Sequence, residues 1–235
     1  VHFLLTNDDG IDAPGIAALE VAVRSFPGAQ VTVVAPESER SLCGHRLTTL
    51  EPLVVKPRGE GRYAISGTPA DCVRVALFGL GLKPDFVLSG VNAGGNMGQD
   101  LPVSGTIAAA REAAYHGLPA IAFSHYLIRA LKVDWDRTAL WAAAVLQEVL
   151  PLKFSDGEFW SVNFPHLPPG AVMPERVPAP ACRLPLNVNY AKSQDASGAM
   201  LLMLDAPYAE RPHEPGSDVD VCFGGRISLT KVSIR

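Results

Sequence analysis

The chain has 235 residues, 48% of them hydrophobic and 19% charged, enough to bury a full core as one globular domain with an appendage. A formal charge of -4 excludes a surface built to coat nucleic acid, which needs a basic field against the phosphates, but leaves room for a small phosphorylated ligand. Residues 139–146, the longest apolar run in a helix-forming stretch, fall far short of the roughly 20 residues of a membrane span.

No stretch reads as a secretory leader. Cys43, Cys72, Cys182 and Cys222 lack the paired spacing of a zinc site or disulfide framework, so free thiols in a reducing, cytoplasmic compartment are expected.

Val1 to Leu5 reads as a buried parallel strand that runs out into Thr6-Asn7-Asp8-Asp9-Gly10. Open α/β sheets bind ligands at such carboxyl ends, and Gly10 permits the turn that would let both Asp8 and Asp9 reach one cation. Hard oxygen donors there suit Mg2+ or Mn2+. Taken alone, the four residues Asn-Asp-Asp-Gly read equally as a solvated turn. Asp12 is the expected cap and Pro14 the first turn of a helix whose apolar face is Ile16, Leu19, Ala22 and Val23.

Val31 to Ala35 is a second strand, leaving the sheet through the polar run Pro36 to Ser41. Residues 47–50, 53–56 and 62–66 read as antiparallel ribbons. Gly67-Thr68-Pro69-Ala70-Asp71 opens a helix capped by Thr68, with Cys72, Val73, Ala76 and Leu77 on its apolar face.

Phe86 to Ser89 is the next strand, and the glycine-rich segment 90–98 that follows carries Asn92 and Asn96 as neutral oxygen or amide groups. It matches neither a Walker loop nor a dinucleotide fingerprint. Ser104, Gly105 and Thr106 stand at the start of an Ala-rich helix ending at His116; that position serves both to cap the helix and to bind phosphate.

Ala120 to Ser124, a helix over 136–150 with Trp141 in the core, and Trp160 to Phe164 complete the parallel set. The division expected is a core over 1–164 and a proline-rich excursion with a C-terminal arm over 165–235. Ala199 to Leu204 and Arg226 to Ile234 are expected to pair as a hairpin outside the main sheet and to need a partner subunit. His45, His116, His125 and His166 have no adjacent carboxylate or second His at ligand spacing and read as surface or packing residues; His45 lies nearest the active edge.

With these stretches in hand, the chain resembles the SurE family of survival proteins through TNDDGIDAPG (6–15), VVAPESERS (33–41), SGTPADCV (66–73), SGVNAGGNMG (89–98) and SGTIAAA (104–110). SDVDVCFGGRISLTKV near the end matches more loosely. The resemblance implies a three-layer αβα, Rossmann-like fold with a mostly parallel sheet. It also implies one divalent cation per subunit on Asp8, Asp9, Ser41 and Asn92, and release of phosphate from nucleoside 5′- and 3′-monophosphates, with short polyphosphate as a further substrate. A homodimer or homotetramer joined through the C-terminal arm is implied as well.

Asn7, Gly95, Asn96, Ser104, Gly105 and Thr106 are the expected phosphate and substrate contacts. The sequence departs from the family pattern at Val103, in the abundance of proline after Phe164 and at PAPACRLPLNVNY. Those departures touch substrate preference and the arm, not the metal site.

Asp8 and Asp9 are the expected catalytic residues, with Asp9 favoured over Asp8 as acceptor of a proton from an attacking water. A haloacid-dehalogenase-like phosphatase uses aspartates at alternate positions, unlike this adjacent pair. The alternative from another class, a metal-dependent phosphoreceiver or nucleotide-binding regulator without turnover, needs an Asp after its third strand, where Ser89 stands.

Overall fold

The computed structural model describes residues 1–128 and 130–234. The first apolar run forms β1 (His2–Thr6), followed by α1 (Pro14–Arg24) and β2 (Gln30–Pro36). Pro14 starts α1, but the N-cap is Ala13 instead of Asp12, whose carboxylate pairs with Arg58 at 2.6 Å.

The segment after β2 holds β3 (Val55–Pro57) and β4 (Arg62–Ile65). Only β3 and β4 are antiparallel to each other. β4 lies parallel to β2 because Ala64 and Ile65 are drawn into the core, and residues 47–50 form no strand.

A capping box opens α2 (Pro69–Arg74), with Thr68 and Asp71 each accepting from the other's backbone amide. β5 (Phe86–Ala93) continues four residues beyond Ser89. α3 (Gly105–Tyr115) is capped by Ser104 and leads to β6 (Ala120–His125). α4 (Trp135–Val149) starts under an Asp134 cap, a residue before the expected bound, and precedes β7 (Glu158–Phe164). Then come β8 (Arg176–Pro178), β9 (Asn189–Gln194), β10 (Met200–Asp205), α5 (Asp218–Phe223) and β11 (Ile227–Ser233).

The main sheet runs β3-β4-β2-β1-β5-β6-β7-β11-β8, and its central block from β4 to β7 is parallel throughout. Alternation along β1 sends Phe3 and Leu5 to one face, where α1 and α4 pack, and Leu4 to the other, where α2 and α3 pack. The result is a three-layer αβα fold. β1 leads to α1 on one face and its neighbour β5 to α3 on the other, so the two connections part and leave a crevice between the strand ends.

The expected pairing of 199–204 with 226–234 is corrected by the strand partners. β10 pairs antiparallel with β9, whereas β11 joins the main sheet, antiparallel to β7 and parallel to β8. Burial explains the exchange: residues Ile227 to Thr230 all enter the core and cover the otherwise open edge of β7. Residues beyond Phe164 therefore return two strands to the sheet, and only the β9–β10 hairpin projects, with every residue of both strands exposed.

Close packing of α1 on β5 depends on Gly15, where a Cβ would lie 1.8 Å from the Val91 carbonyl oxygen. Because that neighbour is backbone, relief requires the helix to move. Gly15→Ala is expected to lower stability by about 3 kcal/mol despite alanine's better helix propensity, read from the urea midpoint; an unchanged midpoint would mean that α1 has room to shift.

Candidate metal and phosphate site

The chain leaves β1 through a turn in which Gly10 adopts φ 102°, a conformation that favours glycine. The fully buried Asn7 closes this turn by donating from Nδ2 to the Gly10 carbonyl at 2.7 Å. Three further segments are tied to the same turn. The β2 exit is joined by Ile11 N–H to the Pro36 carbonyl (2.8 Å) and Arg40 N–H to the Asp8 carbonyl (2.7 Å). From the end of β5, Ala93 N–H donates to Asp9 Oδ2 at 2.9 Å. From α3, Thr106 Oγ1 donates to Asp8 Oδ1 at 2.5 Å. Gly105 permits that last approach: a Cβ there would sit 2.9 Å from both the Asp8 Cβ and the Cys43 Sγ.

Burial of Asp8, only 4% exposed, pushes its pKa up to about 6, and the Asp9 charge adds to the rise against the lowering hydrogen bond from Thr106. Burial also raises Asp9, with Glu39 contributing in the same direction against the Ala93 amide. Mutually repelling carboxylates in a partly desolvated site are the electrostatic counterpart of a bound cation. No group of three or more His, Cys, Asp or Glu that could hold a metal occurs among the described residues. Two adjacent carboxylates with neutral oxygens around them are a donor set that would fit a hard ion retaining several waters.

Asn92 donates its Nδ2 to the Gly94 carbonyl at 2.8 Å, so its amide oxygen is the end left for a ligand. Ser41 follows Arg40 directly and donates its hydroxyl to Glu39 at 2.6 Å, keeping lone pairs for a cation. Among the expected phosphate contacts, Ser104 Oγ accepts from Ile107 N–H as the α3 cap, and the Thr106 hydroxyl is turned to Asp8. Asn96 is built into the scaffold. Its backbone exchanges hydrogen bonds with the Asn163 side chain, and its Nδ2 donates to Ser124 Oγ at 2.8 Å, so the ends of β6 and β7 hold the glycine-rich loop. Gly95 lies in that same loop, beside the Tyr208 hydroxyl.

The expectation that the four histidines lack a carboxylate is corrected at His45 and His116, which meet one across the fold and along α3, while the buried His125 and His166 serve packing. His45 and His116 meet the buried Glu112 at 2.7 and 3.0 Å, together with Arg74 at 2.5 Å, which fastens the segment after Ser41 to α3. His125 stacks on Trp141, and His166 Nδ1 accepts from Ile128 N–H at 2.7 Å.

Sequence reasoning missed Glu39, Trp135 and the anchoring role of Thr106. Glu39 was visible only as part of a polar run, and Trp135 lay one residue before the expected helix with no signal of its own. Both line a cleft of about 480 Å³ with Asp9, Asp12, Pro14 and Glu37.

A doubly wound αβα sheet carrying adjacent carboxylates at its switch point defines the class: Rossmann-like α/β proteins with an acidic site at the carboxyl edge. Within that class the chain belongs to the SurE family, whose model, described as survival protein SurE, matches residues 3–183. A Nostoc sp. protein provisionally named a 5′-nucleotidase is 47% identical over 98% of this chain and 99% of its own. The 5′-nucleotidase SurE of Paramagnetospirillum magneticum is 38% identical over 98% of this chain and 88% of its own. The crystal structure of the SurE protein from Aquifex aeolicus superposes with a TM-score of 0.88 at 32% identity, covering 100% of this chain and 94% of that one.

The raised pKa makes the folded chain hold the Asp8 proton more tightly than the unfolded chain does. The stability this lends is complete below about pH 4 and is lost as the pH rises through about 6. A rise from 3.8 to about 6 corresponds to about 3 kcal/mol. Asp8→Asn, which keeps an acceptor for Thr106, is expected to stabilise chelator-treated protein by up to that amount at about pH 7.5 and to have no effect at about pH 3.5. Urea denaturation at the two pH values measures this; an equal effect at both would show that the buried charge is not what strains the site.

Proposed function

We propose that this chain is a divalent-metal-dependent nucleotidase that releases phosphate from nucleoside 5′- and 3′-monophosphates, with short polyphosphate as a further substrate. The observation that carries the reading is the adjacent pair Asp8 and Asp9, held at the β1–β5 crevice with raised pKa values, in a chain whose relatives include proteins named 5′-nucleotidase SurE. One Mg2+ or Mn2+ per subunit is taken by Asp8, Asp9, the Ser41 hydroxyl and the Asn92 amide oxygen. When bound, such an ion neutralises charge on the phosphoryl oxygens and acidifies water.

The chain's own residues supply the rest. The neutral cradle for phosphate is the start of α3, with the backbone N–H groups of Gly105 and Thr106 and the Ser104 hydroxyl, together with Gly95 in the loop that Asn96 anchors, and Asn7 supports the turn from below. The carboxylate of Asp8 is fixed by Thr106. Asp9 accepts the proton of the attacking water. Both aspartates act as ligands, so neither serves as nucleophile, and phosphate leaves in a single in-line displacement.

The subunits form a homodimer or homotetramer through the β9–β10 hairpin. Met200, Leu201, Leu202, Met203 and Leu204 are all at least 48% exposed, and an isolated two-stranded hairpin with such a surface gains stability by being covered. A cytoplasmic location agrees with four free cysteines, and no helix among the described residues is long and apolar enough to cross a membrane.

Phosphate release from adenosine 5′-monophosphate is expected to vanish with chelator and return with Mg2+ or Mn2+. Asp9→Asn should lower it at least about 100-fold at saturating metal; full turnover in that variant would remove Asp9 from the chemistry. Deleting residues 189–205 and closing the gap with a short glycine linker is expected to yield monomers by light scattering, and an intact oligomer would put the interface on another surface.

A further inference from the structure

We infer that Trp135 is the platform on which the base of the substrate nucleotide stacks, an assignment that rests on the nucleotidase reading above. Trp135 is the first residue of α4, and its ring packs against the core. Its Cη2 atom lies 3.3 Å from the position a Cβ would take on Gly15, which places it beside the start of α1. The ring centroid is 6.2 Å from that of His125, the residue paired with Ala93 where β5 and β6 end. Held this way the indole is partly buried against the core, yet it lines the same cleft as Asp9 and Ala93.

The cleft's volume, about 480 Å³, exceeds what a phosphate group fills and falls within the roughly 300–1,000 Å³ of small-ligand pockets. Four carboxylates also line it. Glu37 is paired with Lys56 and Asp12 with Arg58, each at 2.6 Å, while Asp9 accepts from the Ala93 amide and Glu39 from the Ser41 hydroxyl, so hydrogen-bonding groups share the cleft with one aromatic surface.

A rigid apolar face beside hydrogen-bonding groups suits a flat heterocycle carried on a sugar, and it binds any base, because every base has a π-face. The other tryptophans do not serve. Trp141 is 2% exposed in the core, and Trp160 lies under Lys231 on β11. The cleft is lined by Asp9 itself and by Ala93 at the end of β5, so a base resting on Trp135 shares one cleft with the carboxylates that hold the ester.

The test compares kcat/KM for adenosine 5′-monophosphate and for glycerol phosphate, the same ester on an alkyl carrier, in the metal-loaded wild type, Trp135→Ala and Trp135→Phe. Loss of a stacking surface is expected to lower kcat/KM for the nucleotide about tenfold in Trp135→Ala, to leave glycerol phosphate within about twofold, and to be largely restored in Trp135→Phe. An equal loss for both substrates, or none for the nucleotide, overturns the assignment. A second measurement does not depend on how the alanine variant folds. Adenosine is expected to compete with glycerol phosphate in the wild type and to quench tryptophan fluorescence, the quench disappearing in Trp135→Phe; failure to compete also overturns it. No release from adenosine 5′-monophosphate by the wild type overturns the nucleotidase reading and the platform together, whereas release that ignores Trp135→Ala overturns the platform alone.

Discussion

Two carboxylates at consecutive positions, one of them buried, repel each other, and the contacts around the end of β1 act against that repulsion. Thr106 donates to Asp8 and the Ala93 amide donates to Asp9, while the Arg40 amide takes the Asp8 carbonyl. Each of these bonds reaches in from a different segment, so satisfying the acidic turn also draws the β2 exit, the end of β5 and the start of α3 to one place. The offset is incomplete, since both aspartates keep raised pKa values. A site that is electrostatically under-compensated in the bare chain is one that gains from binding a cation.

The rest of the fold holds that place still. Helices on both faces leave the parallel strands dry, and β1 sits between β2 and β5 with its alternating side chains divided between the two cores. Where loops must come close, glycine makes room: Gly15 admits the Val91 carbonyl and Gly105 admits Asp8. The glycine-rich loop could wander after β5, but Asn96 is bound to Asn163 and Ser124 on the two neighbouring strands. Hydrogen bonds to these two strands offset the cost of enclosing the Asn96 side chain and amide.

Much of this was legible in the residues. Apolar runs ending in Asn-Asp-Asp-Gly, in Pro-Glu-Ser-Glu-Arg-Ser and in a glycine-rich segment marked three strand exits, and the Thr68 and Ser104 caps emerged as read. Other features depended on partners distant in sequence. Thr106 and Asp8 are 98 residues apart, and a hydroxyl at a helix start serves a phosphate or a carboxylate equally well until the carboxylate's position is known. β9, with the polar sequence Asn-Tyr-Ala-Lys-Ser-Gln, has no apolar alternation to announce a strand and exists through its backbone pairing with β10.

The sequence by itself determined where the first two strands give way to polar turns and which helices open on a hydroxyl cap, because burial periodicity, capping groups and glycine's freedom at φ > 0 act over a few residues. Only the tertiary structure decided that β11 completes the sheet beside β7 while β10 turns to β9, since strand pairing depends on which edges remain open once the core has formed. It also decided that Trp135 faces the cleft beside Asp9: a side chain at the start of a helix acquires an environment only when the strand end before it and the helix across from it are in place.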